Sequence, residues 1–140
     1  MENKKEGCNY CAGPDSLTGA MLKIADLPYS TVYLLKNQLY RGRCIVAYHQ
    51  HATEYFELEP TEGAGFFADI SRTAHAVYNV FKPQKINYAT YGDLFPHVHV
   101  HIVPKREGVP HWGVPFQDEP KEFLSDAEYA EIIEKIRAEL

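Results

Sequence analysis

Between two prolines the chain reads Pro96-His97-Val98-His99-Val100-His101-Ile102-Val103-Pro104. Imidazole, with an ordinary pKa of about 6.5, is mostly neutral yet basic at neutral pH, so it can offer a lone pair to a metal ion or to phosphorus. A lone histidine such as His75 or His111 is more often an ordinary surface or hydrogen-bonded residue; three in strict alternation are not. In a strand, alternate side chains share a face, which places His97, His99 and His101 together and sends Val98, Val100 and Ile102 into the core. Successive same-face residues stand about 6.5–7 Å apart, so the outer two are about 13 Å apart. With zinc–nitrogen bonds of about 2.0–2.1 Å, one ion can take two neighbours of the row but hardly all three. The spacing therefore favours a nucleophilic imidazole, flanked by two that bind phosphoryl oxygens or pass protons, over a three-histidine catalytic metal.

A second chemical feature is Cys8-Asn9-Tyr10-Cys11, whose two thiolates could chelate one zinc ion but make only half a site. The alternative is a pair of free thiols in a mobile tail. Cys44 lies in the apolar run RCIVAY (43–48) and reads as a small core residue. Three cysteines are an odd number, which argues against a disulfide framework and points to a reducing cytoplasm.

The elements that must position these residues follow from periodicity. Stretches 20–25, 30–36 and 43–48 are rich in β-branched, aromatic and leucine residues and read as strands, with Pro28 and Gly42 as punctuation. From Pro60 the period changes: Phe66, Phe67, Ile70, Ala74, Val77, Tyr78 and Phe81 follow helical spacing until Pro83 stops it. Segments 86–91 and 98–103 are two further strands. Ser125, with Glu128 three residues on, signals a last helix carrying Ile132, Ile133, Ile136 and Leu140 on one face. The fold class expected is α+β with an antiparallel sheet, in one domain over 1–140, the first seven residues unstructured.

The net charge of −5 lies entirely in residues 117–140, where eight acids face three bases, while the rest of the chain carries eleven of each sign. That distribution lacks the basic patch a nucleic-acid backbone requires. With 45% hydrophobic residues the chain can bury a core, and no run of about eighteen apolar residues spans a membrane. A small anionic ligand held by local dipoles is still compatible with it, because such a site needs only a few donors.

The run HVHVHIV resembles the signature of the histidine triad superfamily, nucleotide-binding hydrolases and transferases acting on phosphate bonds next to a nucleoside monophosphate. The segments LLKNQLYRGRCIVAYHQHATEYFEL (34–58), the helix after them, INYATYGDLFPHVHVHIVPKR (86–106) and HWGVPF (111–116) are similar to a bacterial branch of that family. The resemblance implies a compact α+β fold with a five-stranded antiparallel sheet, one central packed helix and a C-terminal helix, usually as a homodimer. It implies His99 as the nucleophile, forming a nucleotidyl-imidazole that water breaks, with His101 facing the phosphate and His97 first in the triad. Asn87 matches an asparagine near the phosphate and ribose, and Asn37 falls where many members carry an acid near the nucleoside. Asp93 stands where many members have a glutamine that binds the α-phosphate, and its carboxylate would oppose an anionic substrate. The resemblance also implies a structural zinc held by Cys8, Cys11, His51 and His97, with His49 as an alternative ligand. The substrates implied are dinucleoside polyphosphates or nucleoside phosphoramidates. Three activities stay open at this point: hydrolase or nucleotidyl transferase, a regulatory nucleotide-binding module with little turnover, and a zinc-stabilised interaction protein.

Overall fold

A computed structural model describes residues 3–140. Five strands, β1 (Met21–Asp26), β2 (Ser30–Leu35), β3 (Cys44–Tyr48), β4 (Lys85–Ala89) and β5 (His99–Lys105), form one sheet in the order β1-β2-β3-β5-β4. Every neighbouring pair is antiparallel. A one-turn helix α1 (Asn9–Ala12) precedes the sheet, α2 (Pro60–Phe81) connects β3 to β4, and α3 (Asp126–Glu139) closes the chain. The α+β class and the antiparallel sheet agree with the sequence reading. Among the described residues no helix is long and apolar enough to cross a membrane.

One face of the sheet carries the main core. Val32, Leu34, Cys44, Val46, Val100 and Ile102 pack there against Phe66, Ile70, Ala74 and Val77 of α2 and Tyr129, Ile132 and Ile136 of α3. The other face holds a smaller cluster of Leu17, Met21, Tyr33, Ile45 and Ala47. Central β3 is buried on both faces, which is why its sequence is apolar throughout instead of alternating. The first turns of α2 lie close on the turn between β1 and β2 because residue 65 is glycine: a Cβ there would stand 2.2 Å from the Tyr29 ring. Buried Asp69 is satisfied by the Ser30 hydroxyl at 2.6 Å and the Tyr29 amide at 2.8 Å. Ser125 caps α3, and Glu128 reaches back in the anticipated capping box.

Several sequence expectations change. Phe67 and Tyr78 are exposed, since they flank the stripe set by residues 66, 70, 74 and 77 and point past the sheet. β5 begins one residue later than expected and continues through Pro104 to Lys105. Beyond Ile102 only β4 flanks it, and a one-sided edge tolerates proline. Consequently His97 does not belong to the strand: it sits in a turn closed by its own amide to the Phe95 carbonyl at 2.8 Å. Of the first seven residues, 1 and 2 lie outside the described residues. Asn3, expected in an unstructured lead, is instead tied to the body, its amide donating to Gln50 Oε1 at 2.6 Å and its side chain to the His51 carbonyl at 2.8 Å.

Candidate active site

His99 and His101 project from β5 opposite the main core, into a cavity of about 500 Å³. Register places them across from Ala47 and Ile45 of β3, so small and aliphatic neighbours leave the rings room. Leu17, Met21, Leu35 and Phe95 supply apolar wall, and Arg43, Asp118 and Lys121 supply charge. The Tyr10 ring, carried by α1, stacks on His99 at 4.9 Å between centroids and leans on His97 at 5.3 Å. His99 and His101 meet edge to face at 5.4 Å.

Hydrogen bonds assign the imidazole protons. A carbonyl can only accept, so His99 Nδ1, 2.6 Å from the His97 carbonyl, carries the hydrogen, and Nε2 keeps the lone pair. A guanidinium can only donate, so His101 Nδ1, 3.1 Å from Arg43 Nη2, is the acceptor and the neutral ring has its hydrogen on Nε2. His97 Nε2 donates to the Tyr48 carbonyl at 2.7 Å, which leaves Nδ1 as a lone pair. Burial pushes the pKa of both His97 and His99 below the ordinary imidazole value. His101 is driven down to about 3 by burial and then by the charges of Arg43 and His99. All three rings are therefore neutral at physiological pH.

His97 Nδ1 faces Cys8 Sγ at 3.4 Å and Cys11 Sγ at 3.5 Å, and His51 Nδ1 lies 3.4 Å from Cys11 Sγ. The four ligand atoms all lie within 4.8 Å of one another. A tetrahedral zinc with bonds of about 2.0–2.3 Å separates its ligands by about 3.3–3.8 Å, which the three contacts of 3.4–3.5 Å match, and two cysteines with two histidines are a donor set that suits the ion. The bond from His97 Nε2 to a backbone carbonyl is the outer support that metal-ligating histidines have. His49 is not in this cluster; its Nε2 lies 4.0 Å from Asp26 Oδ1 on the other side of the turn.

The remaining sequence-derived residues are dispersed. Asn37 lines the cavity, but its amide is committed to the chain that follows Phe116: Nδ2 donates to the Asp118 carbonyl at 2.9 Å and Oδ1 accepts from the Glu122 amide at 3.0 Å. Asn87 shares the histidine face, across from Val103, yet lines a separate shallow depression with Lys85, Lys105 and Trp112. Asp93 is exposed on the loop before His97 and does not line the cavity. Sequence reasoning missed Tyr10, Arg43 and Asp118. For Arg43 there was a signal, a permanent cation opening an otherwise apolar central strand. For the other two there was none.

The model of the HIT domain matches residues 21–108 of the chain. This chain belongs to the histidine triad family. Its structure is similar to a histidine triad protein from Bradyrhizobium japonicum, with 28% identity over 88% of this chain and 92% of the other and a TM-score of 0.81. A histidine triad protein from Sinorhizobium meliloti is 23% identical over 90% of this chain and 94% of its own, with a TM-score of 0.83. A third, described as a Zn-bound histidine triad family protein from Mycobacterium smegmatis, is 22% identical over 95% and 92% of the two chains, with a TM-score of 0.66. No curated protein sequence matches. Membership in the histidine triad family supports nucleotide binding.

Proposed function

We propose that the protein is a histidine triad nucleotidyl hydrolase, cleaving the phosphoanhydride or phosphoramidate bond next to a nucleoside monophosphate. The observation that carries this reading is the proton assignment at His99, whose Nδ1 is spent on the His97 carbonyl while Nε2 has no partner among the described residues. The Nε2 lone pair attacks the α-phosphorus and the bond to the leaving group breaks, that group departing with the electron pair. The nucleotidyl-imidazolium keeps its Nδ1 hydrogen on the His97 carbonyl, whose dipole stabilises the new positive charge. His101 Nε2–H donates to a phosphoryl oxygen on which negative charge grows. Water then attacks phosphorus and releases a proton to solvent, the N–P bond breaks, and the lone pair returns to Nε2. The apolar wall of Leu17, Met21, Leu35 and Phe95 suits a nucleobase.

A structural zinc at Cys8, Cys11, His51 and His97 belongs to the same reading, supported by the ligand geometry and by the Zn-bound relative. Its chemistry would be to bind thiolates and so fasten α1, with Tyr10, beside His99. A homodimer is supported by exposed Phe67 and Tyr88 beside the free edge of β4. Three cysteines outside any disulfide suit a reducing compartment. The test is incubation with adenosine and guanosine polyphosphates and phosphoramidates, followed by a non-acidic quench and mass spectrometry. A nucleotidyl adduct on His99 and release of nucleoside monophosphate are expected. Binding with neither adduct nor turnover would reduce the protein to a nucleotide-binding module.

A further inference from the structure

Among the described residues Arg43 is the one buried cation touching the triad. It opens the chain into β3, only 3% exposed, and its Nε is buried with no hydrogen-bond partner among the described residues. Nη2 donates to His101 Nδ1 at 3.1 Å, and Nη1 pairs with Asp118 Oδ1 at 2.8 Å. The guanidinium lies 4.8 Å over the Phe116 ring, whose centroid is 6.0 Å from His101. A cation buried in this way, against a single carboxylate that is itself largely exposed, is poor structural economy, because an apolar side chain would fill the space without desolvating a charge. What an apolar side chain could not do is donate a hydrogen bond to His101.

Resting on the nucleotidyl hydrolase reading, we propose that Arg43 is a positioning residue for the phosphate-binding imidazole, holding the His101 proton on Nε2, with Asp118 fixing the guanidinium from its far side. Because arginine has no acceptor and does not lose its proton, the ring beside it cannot place its single hydrogen on Nδ1. Nε2–H is then available as a donor in every molecule instead of in a fraction of them. Asp118 is delivered to Arg43 by the segment after Phe116, which Asn37 holds at both the Asp118 carbonyl and the Glu122 amide. Arg41 adds an ion pair to Glu122 at 2.7 Å. The acidic C-terminal region thus reaches the reaction centre through one carboxylate.

The test is a tautomer measurement joined to kinetics. In the full-length protein without substrate, nitrogen-15 NMR of the histidine rings should show His101 protonated at Nε2 and bare at Nδ1. Arg43→Met should turn that signature into a mixture or into the Nδ1–H form, and lower kcat on a nucleotide substrate by about tenfold or more while KM moves less than about threefold. Arg43→Lys, which keeps a donor, should recover much of the parent signature. Asp118→Asn, at an exposed side chain that endangers the fold little, should give a smaller change of the same sign. If Arg43→Met does not fold, the parent spectrum with the Lys and Asp118 variants decides. An Nδ1–H signature in the parent, or a His101 signature unmoved in every folded variant, overturns the proposal. A tautomer that responds in a protein that hydrolyses no nucleotide would leave Arg43 in its role and remove the hydrolase reading instead.

Discussion

Replacing His99 by asparagine separates chemistry from architecture. The asparagine amide can occupy the place of the ring Nδ1–H and keep the bond to the His97 carbonyl, which measures 2.6 Å in the parent. What it loses structurally is the face-to-face contact with Tyr10 at 4.9 Å, an aromatic pair worth about 0.5–1.5 kcal/mol. Alanine would lose that contact and also strand the carbonyl, adding about 1–3 kcal/mol. Urea unfolding should therefore rank the proteins parent, His99→Asn, His99→Ala, with the two variants separated by the cost of one unpaired acceptor. The rate should not follow that ranking. Neither variant has a nucleophilic ring nitrogen to attack phosphorus, so both should lose on the order of 10⁴-fold or more in kcat, equivalent to about 5.5 kcal/mol of barrier. Single-turnover quench and mass spectrometry read the adduct directly, and no nucleotidyl group should accumulate on either variant. A loss below about a hundredfold in His99→Asn would refute His99 as the nucleophile, since even a displaced general acid or base costs about 10²–10⁴. An adduct persisting at another residue would do the same.

Protein prepared without chelator should contain about one zinc per chain, lost in Cys8→Ser and Cys11→Ser and weakened in His51→Ala. Because bound metal contributes folding free energy, a chelator should lower Tm in the parent and leave the cysteine variants unmoved; metal analysis that finds no zinc ends this idea. Burial, Arg43 and His99 together hold His101 down to about 3, whereas the unfolded chain takes up that proton below about pH 6.5. The unfolded state then binds more protons, so stability should fall as the pH drops from about 6.5 toward 3, by up to about 1.4 kcal/mol per pH unit from this group. Urea titrations across that range should show a shallower slope in His101→Asn, and an identical slope would contradict the depressed pKa. Ile136, completely buried where α3 meets the core, should cost about 2–5 kcal/mol as Ile136→Ala; a loss under about 0.5 kcal/mol in urea unfolding would show α3 to be loosely attached.

The sequence by itself determined what depends on neighbours a few residues apart. A period of two set the faces of His99 and His101, a period of 3.6 set the buried side of α2, and Ser125 with Glu128 started α3 within a residue of where it begins. Cys8 and Cys11 stood out locally as half a zinc site, but His51 and His97 were added only through resemblance to a family, because Cys8 and His97 meet across 89 positions of chain. Tertiary structure decided the rest. His97 left the strand that its alternation suggested, because the turn from Phe95 and the buried Tyr48 carbonyl rotate its ring toward the cysteines. Asn37, read as a nucleoside contact, became an anchor for the segment 81 positions later. Arg43 looked like the polar start of an apolar strand until the β3–β5 register set it against His101, 58 positions away. Periodicity reports which face a side chain takes. Which side chains meet across that face depends on strand order, register and the path of the loops, and these are settled only when the whole core packs at once.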